Sequence, residues 1–267
     1  MDIQDKVFVV TGGGNGIGRE VVLNLLSKGG KVAAVDLSAD GLAGTAELAG
    51  EQAVNLSTHV ASVADAAAVA VLPEAVIAAH GQVDALLNVA GIIQKFVPFA
   101  ELSTPEIEKV FAVNFWGVVN TLQAFLPHLV QRPSAAIVNV SSMGGFIPVP
   151  GQTIYGASKA AVKLLTEGLH SELRDTPVRV TVVFPGAIAT NITGNSGVVI
   201  PGSDSAEAPK FKMTTATEAG EVIVNAMAKG AYRATIGSDA KMLDRLTRLA
   251  PERAMAMVAE QMASLRS

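Results

Sequence analysis

Thr11-Gly12-Gly13-Gly14-Asn15-Gly16-Ile17-Gly18 follows the apolar run Val7-Phe8-Val9-Val10 and leads into Arg19-Glu20-Val21-Val22-Leu23. A short continuous apolar run is the pattern of a strand buried on both faces. Arg19 onward suits a helix, so the glycines occupy a strand-to-helix turn. The first amides of such a helix have no intrahelical partner and point outward, where the helix dipole favours negative charge. Glycine lets a phosphate approach the backbone and lets the helix pack against the strand. The spacing is G-x-x-x-G-x-G rather than G-x-G-x-x-G.

The same alternation runs along the chain. Strands are expected at Lys6–Thr11, Lys31–Asp36, Ala53–Thr58, Asp84–Asn88, Ala135–Ser141, Val178–Phe184 and Arg233–Ile236. Helices are expected at Gly16–Ser27, Ala39–Leu48, Val63–Ala79, Pro105–Leu129, Ile154–Leu173 and Thr217–Lys229. The fold class is therefore α/β: a doubly wound parallel sheet of about seven strands with helices on both faces. No linker or repeat divides the chain, so residues 1–267 are read as a single domain. It includes a Gly/Ser/Pro-rich substrate-loop region at 186–213 and a helical tail at 238–267, where Leu243, Leu246, Leu249, Met255, Val258, Met262 and Leu265 recur at helical spacing.

Composition removes several classes of function. The 267 residues are 49% hydrophobic, which excludes a disordered chain, and the net charge of −4 lacks a nucleic-acid binder's basic footprint. Cysteine is absent, so disulfides and thiolate nucleophiles are impossible. His59, His80, His128 and His170 stand in no metal-ligand spacing, and no metal site is expected. The mean hydropathy of +0.40 calls for a test of membrane spans. Val110–Gln131 and Pro133–Ser158 lack charged residues, but both carry polar residues and proline, and neither reads as a run of about 20 dominantly apolar residues. No signal peptide opens the chain, and a cytoplasmic location is the expectation.

Asp36 ends the second strand, 18 residues beyond Gly18. That is near the spacing of about 20 at which an acid hydrogen-bonds an adenosine ribose. A carboxylate there repels a 2′-phosphate, and neither Asn15 nor Leu37 supplies a compensating cation. The reading is NAD rather than NADP, the alternative being an Asp that only starts a turn before Leu37-Ser38. Tyr155 and Lys159 are four residues apart, on one face of a helix. A phenol is a poor base at neutral pH, and a nearby ammonium favours its ionised form. Ser142 lies 13 residues before Tyr155, at the carboxyl end of the fifth strand and on the same sheet edge as the glycine turn. Its hydroxyl can polarise a substrate oxygen. Asn114 interrupts Val110–Trp116, and a buried amide needs partners.

Together these residues resemble the short-chain dehydrogenase/reductase family, in its shorter branch. The pieces are Thr11–Gly18, Asp36, Asn88-Val89-Ala90-Gly91, Asn114, Ser142, Tyr155 with Lys159, and Pro185-Gly186 followed by Thr190. The resemblance implies a Rossmann-like domain and a nicotinamide-dependent oxidoreductase. It implies that Tyr155 is the acid/base, that Ser142 positions the substrate oxygen and that Lys159 lowers the phenol's pKa and binds ribose. Asn114 would hold a water in a proton relay. Gly12, Asn15, Gly16, Ile17, Gly18, Asp36, Leu37, Val60, Asn88, Ala90, Gly91, Pro185, Gly186, Ile188 and Thr190 would meet the cofactor with Tyr155 and Lys159. His59 stands where the family often has an Asp on adenine, which leaves that contact in doubt.

The expected substrate wall is Ile93, Phe96, Gly144, Phe146, Val149, Gln152 and Ile192, with Val97, Ile147 and Ile188 also considered. It carries no cation for an anionic substrate. A neutral apolar or aromatic secondary alcohol or ketone is expected, with hydroxysteroids and other bulky alcohols kept open. A sensor that binds a dinucleotide without catalysis and a sugar epimerase are the rivals. The first has no use for Ser142, Tyr155 and Lys159, and the second usually needs a larger C-terminal domain. The resemblance also implies a homo-oligomer, dimer or tetramer, built on the Pro105–Leu129 and Tyr155 helices.

Overall fold

The computed structural model describes residues 1–190, 192–198 and 213–261, with the side chains of Asn195 and Gln261 left out. Most of the expected loop at 186–213, and Met262 and Leu265 of the tail, lie outside the described residues.

Seven strands form one parallel sheet in the order β3-β2-β1-β4-β5-β6-β9. They are β1 (Val7–Thr11), β2 (Lys31–Asp36), β3 (Leu56–Val60), β4 (Ala85–Asn88), β5 (Ala135–Val140), β6 (Val178–Pro185) and β9 (Arg233–Ile236). The order reverses between β1 and β4, and a crevice opens at such a switch point beyond the carboxyl ends of the strands. A separate two-stranded ladder pairs β7 (Ile188–Ala189) with β8 (Thr214–Thr215).

Side chains alternate across a strand, so the sheet feeds two cores. Phe8, Val10, Val32 and Ala34 pack with α1 (Gly16–Ser27), α2 (Ala39–Ala49) and α9 (Ala216–Ala228). Val7, Val9, Ala33 and Val35 face the other way. They pack with α3 (Ala66–Ala70), α4 (Leu72–His80), α6 (Gly117–Leu129) and α7 (Thr153–Glu172).

Three expected elements change. The strand expected from Ala53 begins at Leu56, because Gly50–Asn55 is a 3-10 turn. The helix expected over Val63–Ala79 is two helices, with Pro73 in the first turn of the second. Proline there lacks an N–H that the first turn does not need, so it suits a new start. Val63 lies outside both, against Gly117.

The helix expected over Pro105–Leu129 is α5 (Thr104–Phe111), a π turn at Ala112–Trp116, and then α6. By length and composition Thr104–Leu129 is apolar enough to cross a membrane, so the exclusion drawn from its polar residues is too strict. In the fold it lays Val118, Leu122, Phe125 and Leu129 on the sheet. The tail forms α10 (Ser238–Leu249) and α11 (Pro251–Gln261). Leu243, Ala254 and Val258 pack with Ile147, next to Met143 and Phe146. Leu249, expected on the apolar face, is exposed because it falls at the last residue of α10.

Candidate active site

The glycine turn forms where expected, and two of its glycines are required. Gly12 has φ +72°, and a Cβ on it would stand 3.0 Å from the Ala90 backbone. A Cβ on Gly18 would collide with the Gly12 carbonyl, so only glycine lets α1 close on the strand. Asn15 caps α1, its side chain accepting from the Gly16 N–H. Arg19 and Thr45, which sequence reading leaves out, brace the turn from behind. Arg19 donates to the Gly14 and Gly41 carbonyls and to Thr45, and Thr45 donates to the Gly13 carbonyl.

The turn borders a cavity of about 470 Å³. Of the residues expected to meet the cofactor, Gly12, Asn15, Gly16, Ile17, Gly18, Asp36, Leu37, Ala90, Gly91 and Thr190 line it. Ser38, Ala61, Ser62, Val63, Ile92 and Val113 join them unforeseen. Asp36 faces this space, held by N–H donors from Gly14 and Ser38, each at 2.9 Å. The turn-starting reading and the ribose-facing reading of Asp36 are thus both compatible with its geometry.

Several expected cofactor residues stand outside the lining of this cavity. Val60 is 62% exposed at the end of the edge strand, and Ala61 to Val63 line the cavity instead. His59 turns away to Ser57, which also meets His80. Asn88 is buried and points into the core. Its amide donates to Asn139 and accepts from Thr121, while Asn139 donates to Thr166, so a polar chain ties α6 to α7 through the sheet. Pro185, Gly186 and Ile188 do not line the cavity. Asp239 of α10 accepts from the Ala187 N–H at 2.7 Å and fills the space a side chain on Gly186 would need. That brace leaves Thr190 beside Gly16.

The chemistry-bearing side chains gather at the same sheet edge. Ser142 follows β5 and accepts from the Gly144 N–H at 3.0 Å. The Tyr155 phenol shares a hydrogen bond with the Ser142 side chain. Burial pushes the phenol's pKa up, and the Ser142 bond opposes that rise. Lys159 turns its ammonium to the Val140 carbonyl at 3.0 Å, 6.0 Å from the Tyr155 ring centre. Desolvation brings Lys159 itself down to about 8. A Cβ on Gly91 would stand 3.1 Å from Lys159 Nζ, so a missing side chain on the cavity wall lets the ammonium approach it.

Asn114 sits inside the π turn, a feature frequent at functional sites. Its side chain accepts from the Ile92 N–H and donates to the Ile92 carbonyl and to Ser158. Ser158 in turn donates to the Tyr155 carbonyl. The amide therefore fixes the wall residue Ile92 to the Tyr155 helix.

The expected substrate residues fall on three segments around Tyr155. Gly144 abuts the Tyr155 ring and Phe96 abuts Gly151. Ile93 donates its N–H to Ser196, beside Ile192, and Val149 accepts from the Gln152 N–H. Ile192 lines the same cavity as the glycine turn. Phe146 turns toward Phe184 and the tail cluster, where Ile147 is fully buried. Gln152 is buried, and its amide donates to the Gln94 carbonyl. Among the described residues no cluster of three metal-ligating side chains exists.

The family model described as short chain dehydrogenase matches residues 6–198. SadH of Mycobacterium tuberculosis is 40% identical over 254 residues, 92% of this chain and 91% of that protein. The 1-deoxy-11-beta-hydroxypentalenate dehydrogenase of Streptomyces avermitilis is 32% identical, over 90% of this chain and 88% of that protein. A short chain dehydrogenase/reductase from Burkholderia phymatum, solved in complex with NAD, has a TM-score of 0.84 at 27% identity and covers 95% of this chain and 96% of its own. One from Burkholderia cenocepacia, solved in complex with NADP, has a TM-score of 0.80 at 25% identity and covers 97% of this chain and 99% of its own.

Proposed function

This chain belongs to the short-chain dehydrogenase family and is an oxidoreductase of that family, and from that premise we propose that it interconverts a secondary alcohol and a ketone with NAD(H). The carrying observation is the join at Gly91: it lines the cavity above the glycine turn, and Lys159 stands against its bare Cα, with Tyr155 one helical turn away. One site thus serves dinucleotide and substrate.

The cavity fits a dinucleotide. The α1 amides offer a seat for a pyrophosphate, and Asp36 can accept from ribose hydroxyls. Arg19, which braces the glycine turn, is committed to two carbonyls and Thr45. This supports NAD over NADP. When bound, the nicotinamide supplies the hydride acceptor or donor.

The chain's own residues handle the proton and the oxygen. In oxidation Tyr155 takes the hydroxyl proton, and in reduction it returns one to the carbonyl oxygen. Ser142 donates a hydrogen bond to that oxygen and holds it at the phenol. Lys159 supplies positive charge beside the cavity, and Asn114 keeps Ile92 and the Tyr155 helix in register. The wall offered by Ile93, Phe96 and Val149 favours a neutral apolar substrate.

Trp116 and Leu164 are 55% and 69% exposed on the outer faces of the π turn and α7, which supports pairing of copies there. Light scattering should report a dimer or tetramer, and a monomer at working concentration would remove that part. The functional test is a spectrophotometric screen of ketones and secondary alcohols with both cofactors. Reduction of apolar ketones faster with NADH than with NADPH is expected. A chain that binds NADH but turns over none of them would be a sensor.

A further inference from the structure

The catalytic helix α7 begins without a local cap. Its N-cap residue is Gln152, whose side chain makes no capping hydrogen bond. The first amides of a helix need acceptors, and the cap residue usually supplies one two or three positions ahead. Here the acceptor comes from far away in sequence. Gln94 Oε1 accepts from the Ile154 N–H at 2.8 Å and from the Tyr155 N–H at 2.9 Å. Its Nε2 donates to the Gly151 carbonyl at 3.0 Å, and its backbone carbonyl accepts from Gln152 Nε2 at 2.8 Å. Gln94 is 3% exposed, so water is a poor substitute for these partners.

We propose that Gln94 is a positioning residue for Tyr155, capping the catalytic helix from the loop after β4 and setting the phenol's place beside Ser142. The proposal rests on the oxidoreductase reading above and adds to it a residue that touches no reacting atom. Two observations make the cap specific to Tyr155. The first is that the tyrosine's own backbone is clamped at both ends, its N–H by Gln94 and its carbonyl by Ser158, which Asn114 holds. The second is that both clamps derive from one segment of the cavity wall, because Asn114 grips Ile92 two residues before Gln94. The wall that would meet the cofactor and the helix that carries the phenol therefore move together. A change at Gln94 should slide Tyr155 against the wall and leave the glycine turn alone.

The chain has two tyrosines, Tyr155 and Tyr232. In a Tyr232→Phe background the ultraviolet absorbance of phenolate reports Tyr155 alone and needs no substrate. Gln94→Ala should lower the titration midpoint toward the ordinary value of about 10, because water reaches the first turn. It should also reduce kcat roughly a hundredfold, the scale of a displaced catalytic group, with NADH affinity unchanged. Gln94→Glu keeps an oxygen acceptor for both amides and should recover much of the loss. If the alanine variant does not fold, Gln94→Met fills the same space without the hydrogen bonds, and its kcat should fall similarly.

Folded variants with an unmoved phenol titration and an unchanged kcat would overturn the proposal. So would variants that lose thermal stability yet keep kcat, which would make Gln94 a structural residue only. If the titration responds as expected while the unmodified chain reduces no ketone, the functional reading fails and the cap stands.

Discussion

The two edges of the parallel sheet treat buried polar groups in opposite ways. At the amino edge Asp84, fully buried just before β4, accepts from the Val7 N–H, from Gln82 Nε2 and from Arg132 Nε, while Arg132 also donates to Gln82. Every partner there is another part of the frame. At the carboxyl edge the backbone of Tyr155 is clamped from both sides, while its phenol bonds to the Ser142 side chain and Lys159 Nζ donates to the Val140 carbonyl, 6.0 Å from the Tyr155 ring centre. One edge closes its hydrogen bonds on itself and buys stability. The other fixes its backbones and leaves reactive atoms available to a ligand.

The comparison breaks most sharply at Tyr155. Tyr155→Phe should cut turnover by about a thousandfold, within the range for general acid–base groups. NADH binding and melting temperature should hold, and a parallel loss of stability would erase the contrast. Asp84→Ala should do the reverse. Stripping one partner from a buried ion pair costs about 4 kcal/mol, read by chemical denaturation, while kcat per folded molecule stays the same.

Lys159 sharpens the contrast through pH. Its folded pKa, about 8, lies below the ordinary lysine value of 10.5. Stability from that group is therefore present above about 10.5 and lost as pH falls through about 8. Lys159→Met should raise the melting temperature near pH 7, worth about 3 kcal/mol at most, and the gain should vanish by about pH 10.5. A gain independent of pH would mean that packing, not charge, sets it. The smallest expected effect is at the cavity rim. Asp36→Ala should lower the NADH-over-NADPH preference in kcat/KM by roughly tenfold, the worth of one charged hydrogen bond. An unchanged ratio would leave Asp36 with its turn role alone.

What the sequence makes legible follows from how local each signal is. The glycine turn and the central strands are legible because burial on both faces leaves continuous apolar runs. The edge strand β3 is shifted because its exposure is mixed, and the apolar pair Ala53-Val54 imitates a strand start. Pro73 carried the break between α3 and α4 in plain view. For Asn88 a motif gives the residue's neighbourhood but not its side-chain direction, and on β4 that side chain meets Asn139 and Thr121 in the core. Gln94, Arg132 and Asp239 act on partners 48 to 61 residues away, and no spacing rule connects them. Tyr155, Lys159 and Ser142 were legible only jointly, since each alone is common.

The central claim is that the carboxyl edge gathers its side chains around a nicotinamide ring. A crystal structure with NADH and a ketone-like inhibitor tests it directly. The account predicts the Tyr155 hydroxyl and the Ser142 hydroxyl both within hydrogen-bond reach of the inhibitor's oxygen, next to the nicotinamide. A ring seated elsewhere, or a phenol turned away from the inhibitor's oxygen, would contradict it.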